Sequence, residues 1–272
     1  MADSAMAMVV GGLLAILAAC GGDDGSSGGL EVLTPVVAEI ALPTTTSVPG
    51  RNPSADSLVF SPPVTDELPI GPTSLAVTDD GSIFVVDPLQ ESVVLFSADG
   101  RLRSRIHVGF AADRLALVRG VLWVQRANDG VAFEVTGDGA VRMVAGGAPF
   151  STDSTLLDSG GDVRFISALE TLRLDAPTAP GRLMSARWIA TDQDSTRWIA
   201  YEFVREDSLV SVTTVIAKHG RDGRRLGEAA FDHPDVDIPP VDEFATRNGM
   251  IYQLLPSRLG TRIRVKRVGA GA

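Results

Sequence analysis

The chain has one cysteine, Cys20, among its 272 residues, which excludes an internal disulfide and a cage of cysteine ligands around a metal. Positive charge is scarce as well, because 34 acidic residues outnumber 24 Lys and Arg and leave a net charge of −10. A nucleic-acid backbone or an anionic membrane surface would be repelled by such a chain overall. The composition therefore argues against a nucleic-acid partner.

Motifs of common enzyme classes and helical periodicity are also missing. The sequence contains no Walker phosphate-binding loop and no His-Glu-x-x-His zinc helix. Its apolar residues show neither heptads nor a sustained helical period, so an α/β fold is not expected. What the chain has in abundance is 28 Gly and 16 Pro that separate short Val-rich runs, which is typical of a turn-dense β protein.

The clearest structural signal lies in residues 72–109. Four short β-forming segments follow one another there, at residues 75–77, 83–86, 93–96 and 102–108. The breaks between them contain Gly, Pro or Asp, as antiparallel hairpins require, with Asp80-Gly81 and Asp99-Gly100 as the two sharpest turns. The stretch therefore predicts one four-stranded antiparallel sheet.

Written out with its turn residues, this stretch resembles a single NHL-type β-propeller repeat. It departs from the family in the loop before the third strand, where Asn and Arg are usual and this chain has Pro88 to Ser92. The resemblance implies a propeller fold without carrying over the family's ligand contacts.

The turn glycines recur at a regular spacing along the chain. Asp99-Gly100 returns as Asp138-Gly139 after roughly 40 residues, and then as Asp222-Gly223 after about twice that interval. Asn248-Gly249 follows Asp80-Gly81 at about four times the same interval. The spacing predicts an all-β propeller of five blades in residues 57–272, and a sixth blade would need strands from residues 30–42.

The last blade needs a fourth strand from elsewhere in the chain. Only three segments are available for it, in residues 243–246, 250–255 and 261–268. Propellers commonly close their ring with a strand from the N-terminal side, which leaves no open edge. We expect residues 58–60 to supply that strand.

The N-terminal region has the pattern of an export signal. Residues 6–19 form an apolar run of 14, which is too short for a membrane span and fits a signal-peptide core. Leu17-Ala18-Ala19-Cys20 resembles the lipobox of bacterial lipoproteins, and the resemblance implies that Cys20 is lipidated and becomes the first mature residue. No Lys or Arg precedes the core, so a short N-terminal helix with a core cysteine is the alternative. Residues 20–56 are expected to form a flexible tether.

Loops from second to third strands and loops between blades share one face of a propeller, and ligands usually bind there. On that face we expect carboxylates suited to Ca²⁺ or Mg²⁺. Solvated turn residues are the alternative, since Asp and Asn favour turns in any case. The candidate metal ligands are Asp87, Asp129, Asp232, Asp235 and Asp237, and the other candidates for the binding face are Glu91, Asn128, Glu206, Asp207 and His233.

One enzyme family is close to this fold by sequence pattern. Gluconolactonase-like propellers place a metal-binding Glu in a Glu-Gly-Pro at the start of the ring, but this chain has Ile70-Gly71-Pro72.

The only strongly basic stretch puts Arg262, Arg264 and Lys266 on one face of the last strand, which we expect to be a solvated or edge-protecting face.

Two functions from different classes remain. The first is a membrane-anchored, extracytoplasmic propeller that binds an envelope protein or a small ligand and has no chemistry of its own. The alternative is a hydrolase or lyase that uses a divalent cation such as Ca²⁺ in the central channel. A ligand sensor that acts on a signalling partner is not separable from the first function by sequence.

Overall fold

The computed structural model describes residues 35–47, 54–63, 68–137, 139–144, 150, 154–158, 161–192, 194–206, 210–232 and 240–270. No helix in this part of the chain is long and apolar enough to cross a membrane. The strands that it contains are β1 (Val36–Leu42), β2 (Thr44–Thr46), β3 (Leu58–Phe60), β4 (Leu75–Val77), β5 (Ile83–Asp87), β6 (Ser92–Phe96), β7 (Leu102–His107), β8 (Ala112–Val118), β9 (Val121–Arg126), β10 (Ala132–Val135), β11 (Val141–Met143), β12 (Ser154–Leu157), β13 (Val163–Ile166), β14 (Thr171–Leu174), β15 (Arg182–Thr191), β16 (Arg197–Glu206), β17 (Val210–His219), β18 (Arg225–Asp232), β19 (Phe244–Arg247), β20 (Met250–Ser257), β21 (Gly260–Arg267) and β22 (Gly269–Ala270).

These strands form a five-bladed β-propeller, as the sequence predicts. Blade one is the sheet β4-β5-β6-β7 and blade two is β8-β9-β10-β11. Blade three contains β12-β13-β14, and blade four contains β15-β16-β17-β18 with β22 added at its outer edge. Blade five contains β19-β20-β21 and takes β1 as its fourth strand. An N-terminal strand therefore closes the ring.

The strand that closes the ring is not the one expected from the sequence. β1 pairs in antiparallel register with β21, with Ile40 opposite Ile263 and Leu42 opposite Thr261. The expected strand, β3, pairs in parallel with β2 instead. Pro35 lies just before β1 rather than within it, so every ladder position of β1 keeps its N–H donor. Part of the segment predicted as a tether is thus integral to the fold.

Antiparallel pairing gives the propeller two distinct faces. In each blade the first and third strands begin on one face, where the second strand ends, and we call this the entry face. The hairpins after the first and third strands lie on the opposite, exit face. Because β1 runs antiparallel to β21, a third strand, β1 begins on the exit face.

The apolar core lies between neighbouring blades. Blades five and one share a cluster that includes Leu42 and Ile263, and blades one and two share one that includes Val86 and Val124. Blade four packs against blade three in one direction and against blade five in the other. Burial of each such side chain stabilises the fold by roughly 1.5–3 kcal/mol.

The basic stretch near the C-terminus lies on an interior strand and not on an exposed edge. β21 has β20 on one side and β1 on the other. Lys266 is buried, donates a hydrogen bond of 2.5 Å to the carbonyl of Ala230 and lies over the ring of Phe231. Arg262 forms an ion pair with Glu39 of β1. The predicted solvated face is therefore wrong for Lys266, because its side chain packs against β18 of blade four.

Candidate functional site at the entry face

Asp242 connects four blades at the entry face. It lies two residues before β19, and its N–H donates a hydrogen bond of 3.0 Å to the carbonyl of Thr73 in blade one. Its carboxylate accepts hydrogen bonds from Arg114 of blade two, with Nε at 2.9 Å and Nη2 at 3.4 Å. Nη1 of Arg187 in blade four lies 3.7 Å from Oδ1 of Asp242, and the hydroxyl oxygen of Ser74 lies 3.5 Å from Oδ2. One carboxylate thus joins blades one, two, four and five.

The two arginines around Asp242 retain donors for other partners. Arg187 also donates to the carbonyl of Val241 at 3.4 Å, and the guanidinium of Arg114 lies 5.6 Å from the centroid of Phe150. A guanidinium has five N–H donors, and only some of them are used here. Within the described residues, Nη1 of Arg114 and Nη2 of Arg187 have no hydrogen-bond acceptor. The side chains are 38% and 42% exposed, so these donors are accessible.

A central cavity of about 350 Å³ extends from this cluster between the inner strands β4, β8, β15 and β19. Most of the lining residues are apolar by type, Trp188 among them, but polar atoms contribute the larger part of the surface exposed to the cavity. Thr246 also lines the cavity, and its hydroxyl has no hydrogen-bond partner in the described part of the chain. Toward the exit face, Arg247 is paired with Asp79 at 2.6 Å, and this hydrogen bond holds the pKa of Asp79 below its ordinary value.

A second carboxyl group lies close to Asp242. Burial raises the pKa of Asp113, an effect that nearby Asp242 increases and Arg114 opposes. Oδ1 of Asp113 is buried and has no hydrogen-bond partner among the described residues. Asp113 therefore keeps its proton to a higher pH than an ordinary aspartate does.

Exposed apolar side chains occur at equivalent loops of alternate blades. The loops between second and third strands hold Leu89 in blade one, Leu169 in blade three and Leu259 in blade five. Leu169 is 96% exposed, Leu259 is 95% exposed and Leu89 is 37% exposed. Ile70 and Val241, which precede first strands on the same face, are also exposed. The entry face therefore presents apolar groups around the mouth of the channel.

On the exit face the exposed large apolar side chains lie in strands, and none lies in a hairpin turn that the structure describes. They are Val36 and Val37 at the start of β1, Val118 at the end of β8 and Leu226 in β18. The exit-face turns are instead built from Asp, Ser, Gly and Arg, as in residues 78–82 and 97–101. The two faces thus differ in surface chemistry.

Asp87, predicted as a metal ligand, has both carboxylate oxygens occupied by protein donors. Oδ2 accepts hydrogen bonds from the N–H of Val59 at 3.1 Å and from Arg105 at 3.3 Å, and Oδ1 accepts one from the N–H of Gln90 at 3.3 Å. Burial raises its pKa, while Arg105 acts in the opposite direction. The structure uses Asp87 to attach β3 to blade one.

The other predicted residues that the structure describes lie apart from the channel. Asp129 accepts two hydrogen bonds from Arg126, at 2.9 and 2.5 Å, within an exposed loop of blade two. This pairing holds the pKa of Asp129 below its ordinary value. Asn128 is an exposed residue of the same loop, and Glu91 is an exposed, left-handed residue that ends the 3-10 helix Pro88–Gln90.

The rest of the predicted site is not part of the described structure. Cys20, Asp207, His233, Asp235 and Asp237 lie outside the described residues, and the side chains of Glu206 and Asp232 do as well. In the described ranges, no group of three or more His, Cys, Asp or Glu residues is placed to hold a metal ion. The predicted cation site therefore depends on residues 232–237.

Sequence reasoning placed the candidate site on the entry face but did not include Asp242 and the two arginines. A signal was present, because Asp242 follows Ser74 at about four times the interval of roughly 40 residues that relates the turn glycines. Asp113 follows Ser74 at about one such interval, which is the offset between blades one and two. The repeat spacing thus places these three residues at equivalent entry-face positions.

The sequence matches no protein-family model and no curated protein. Among solved structures, virginiamycin B lyase from Staphylococcus aureus is 10% identical with a TM-score of 0.39, and the match covers 72% of this chain and 94% of that one. BamB from Moraxella catarrhalis is 10% identical with a TM-score of 0.36 over 86% and 100% of the two chains. A gluconolactonase from Xanthomonas campestris is 8% identical with a TM-score of 0.36 over 73% and 86%. The function is therefore inferred from the site itself.

Proposed function

We propose that the protein is a non-catalytic β-propeller of the NHL-like kind, anchored outside the cytoplasm by a lipid on Cys20, that binds an envelope protein through its entry face. The observation that carries this proposal is the asymmetry of the two faces. Exposed apolar loop residues occur on the entry face, and within the described residues the exit-face turns have none.

Leu169 and Leu259 have the properties of interface anchors. Each is almost fully exposed, so burial against a partner would contribute about 1.5–3 kcal/mol per side chain. Charged residues adjoin them in sequence, with Glu170 after Leu169 and Arg258 before Leu259. Apolar anchors within a polar rim are the usual composition of protein–protein interfaces.

The argument for a lipid anchor rests on the N-terminal sequence. The apolar run of residues 6–19 and the lipobox-like sequence at Cys20 support anchoring.

Site-specific photo-crosslinking in the native host tests the docking surface. A photoreactive amino acid at position 169 or 259 should give a discrete adduct with one envelope protein. The matched control is position 226, because Leu226 is also an exposed leucine, at 49%, but lies on the outer strand of blade four. The double variant L169S/L259S should abolish the interaction while its thermal unfolding stays within about 1 °C of the wild type, since these side chains make few contacts.

Two results would contradict the proposal. The entry face is not the docking surface if position 226 gives the same adduct as positions 169 and 259, or if the latter give none. The anchor has its own readout, because C20S should move the protein from the membrane fraction to the soluble fraction. A variant that stays in the membrane fraction would refute the lipid anchor without affecting the docking surface.

A further inference from the structure

The central cavity has the features of a small-molecule site that is separate from the loop tips on the entry face. Its volume of about 350 Å³ is at the lower end of the range for small-molecule pockets, which is roughly 300–1,000 Å³. Apolar side chains and a few polar side chains line it, and polar atoms contribute the larger part of its exposed surface. The polar groups are Arg114 and Arg187 at the entry end and the hydroxyl of Thr246 on the wall.

The charges at the entry end are not balanced. Arg114 and Arg187 contribute two positive charges and Asp242 contributes one negative charge, which leaves a net charge of +1. Arg247 does not change this sum, because it is paired with Asp79. Asp113 is nearby and adds a negative charge when it is ionised, and burial raises its pKa. A ligand with a single negative charge would pair with the arginine donors that Asp242 leaves unused.

The geometry points to a binding site for a small monocarboxylic acid with an apolar body. The carboxylate is bound by the free N–H donors of Arg114 and Arg187, and the apolar part lies along Ala116, Trp188 and Ala245, which line the cavity and are only partly buried. Arginine pairs bind carboxylates well because the guanidinium presents its donors in a fixed plane. Asp242 positions both guanidinium groups and disfavours a second anionic group on the ligand.

The charges at the mouth favour this class over other ligands. A phosphate ester carries up to two negative charges, and the Asp242 carboxylate between the two arginines opposes the second of them. A cationic ligand would meet two guanidinium groups at the mouth. Neutral alcohols of the same shape would bury the same apolar area but leave the arginine donors unused.

Thermal unfolding of the full-length protein with defined probes tests the site. The probes are hexanoate and 3-phenylpropanoate, and 1-hexanol and 3-phenylpropan-1-ol are their uncharged counterparts. A ligand that binds only the folded state raises the melting temperature as its concentration passes the Kd. We expect a saturable increase with at least one acid at millimolar concentrations and no saturable increase with its alcohol.

A variant pair identifies the residues responsible. R187Q removes the positive charge from a partly exposed side chain and should weaken acid binding at least tenfold. R224Q is the matched control, because Arg224 is 85% exposed in an exit-face turn, and it should bind like the wild type. The proposal is overturned if neither acid shifts the melting temperature, if the alcohols shift it equally, or if folded R187Q binds with unchanged affinity. None of these results bears on partner binding by the loops.

Discussion

At the residue scale, the least expected arrangement is a buried hydrogen-bonded pair in blade four. The hydroxyl of Tyr201 lies 2.8 Å from Nε2 of His219, and Nδ1 of His219 lies 3.1 Å from the carbonyl of Gly223. Since a carbonyl only accepts, Nδ1 carries the proton and Nε2 accepts from Tyr201. Burial lowers the pKa of His219 and raises that of Tyr201, so both groups stay neutral in the fold.

This pair predicts a specific pH dependence of folding. The unfolded chain takes up a proton at His219 near pH 6.5, but the folded protein does so only at lower pH. Stability should therefore fall as the pH drops below about 6.5, by up to about 1.4 kcal/mol per pH unit from this group. Urea unfolding between pH 7.5 and 5 measures the slope. H219Q should show a shallower fall than the wild type.

A control separates this effect from the titration of other groups. The matched control is H107Q, because His107 is exposed on β7. Equal slopes for H219Q and the wild type would show that His219 does not titrate differently in the two states.

At the element scale, β1 determines whether the ring is closed. A chain that begins at Asp56 would lack β1 and β2, and β21 would become an open edge. The cluster between blades five and one would also lose Leu42 and Ile40. We expect such a chain to aggregate or to melt roughly 10 °C lower or more, because open strand edges pair with other chains and lost core burial is costly.

The matched comparison is the compact unit Glu31–Ala272, which retains β1. It should be soluble and should melt close to the full-length protein in the same calorimetric scan. If the two truncated chains melt together, β1 is dispensable and the closing role of residues 58–60 would have to be reconsidered.

The strands themselves were predictable because their signals are local. The four segments of residues 72–109 became β4 to β7 almost as expected, with hairpins at the predicted glycines. Gly81 and Gly100 have φ angles of 80° and 82°, which glycine adopts without strain. The local sequence could not decide whether β1 or β3 closes the ring. Both are short and apolar, and β1 pairs with a strand at the far end of the chain, as Leu42 does with Thr261.

The difference between local signals and long-range pairing also applies to the candidate site at the entry face. The entry face followed from the strand order, whereas the pairing of Asp242 with Arg114 joins residues 128 positions apart. Asp87 is predicted as a ligand because it lies at the loop from the second to the third strand of blade one, on the face where ligands usually bind. The tertiary structure instead places β3 against it and uses its oxygens for Val59 and Arg105.

At the scale of the whole molecule, Asp242 is the point where four blades meet. D242N removes the charge that faces Arg114 and Arg187 and leaves the two guanidinium groups close together. Hydrogen bonds to charged groups contribute about 1.5–3 kcal/mol, so we expect a loss of about 2 kcal/mol in the free energy of unfolding. Urea titration with intrinsic fluorescence measures this loss.

D129N is the matched control for this substitution. Asp129 also forms two hydrogen bonds with one arginine, but both residues lie in an exposed loop within blade two. Exposed pairs of this kind contribute little to stability, so D129N should unfold close to the wild type. Equal losses for D242N and D129N would mean that the connection between blades adds nothing to stability.

The sequence by itself determined the all-β class, the five-blade repeat and the face on which function was sought. These follow from strand length, turn chemistry and a repeat period of roughly 40 residues, all of which act over short distances. The tertiary structure decided which strand closes the ring, which carboxylate lies at the channel and which apolar side chains remain exposed. Those features depend on contacts between blades, and residues distant in the chain become neighbours only when the ring is complete.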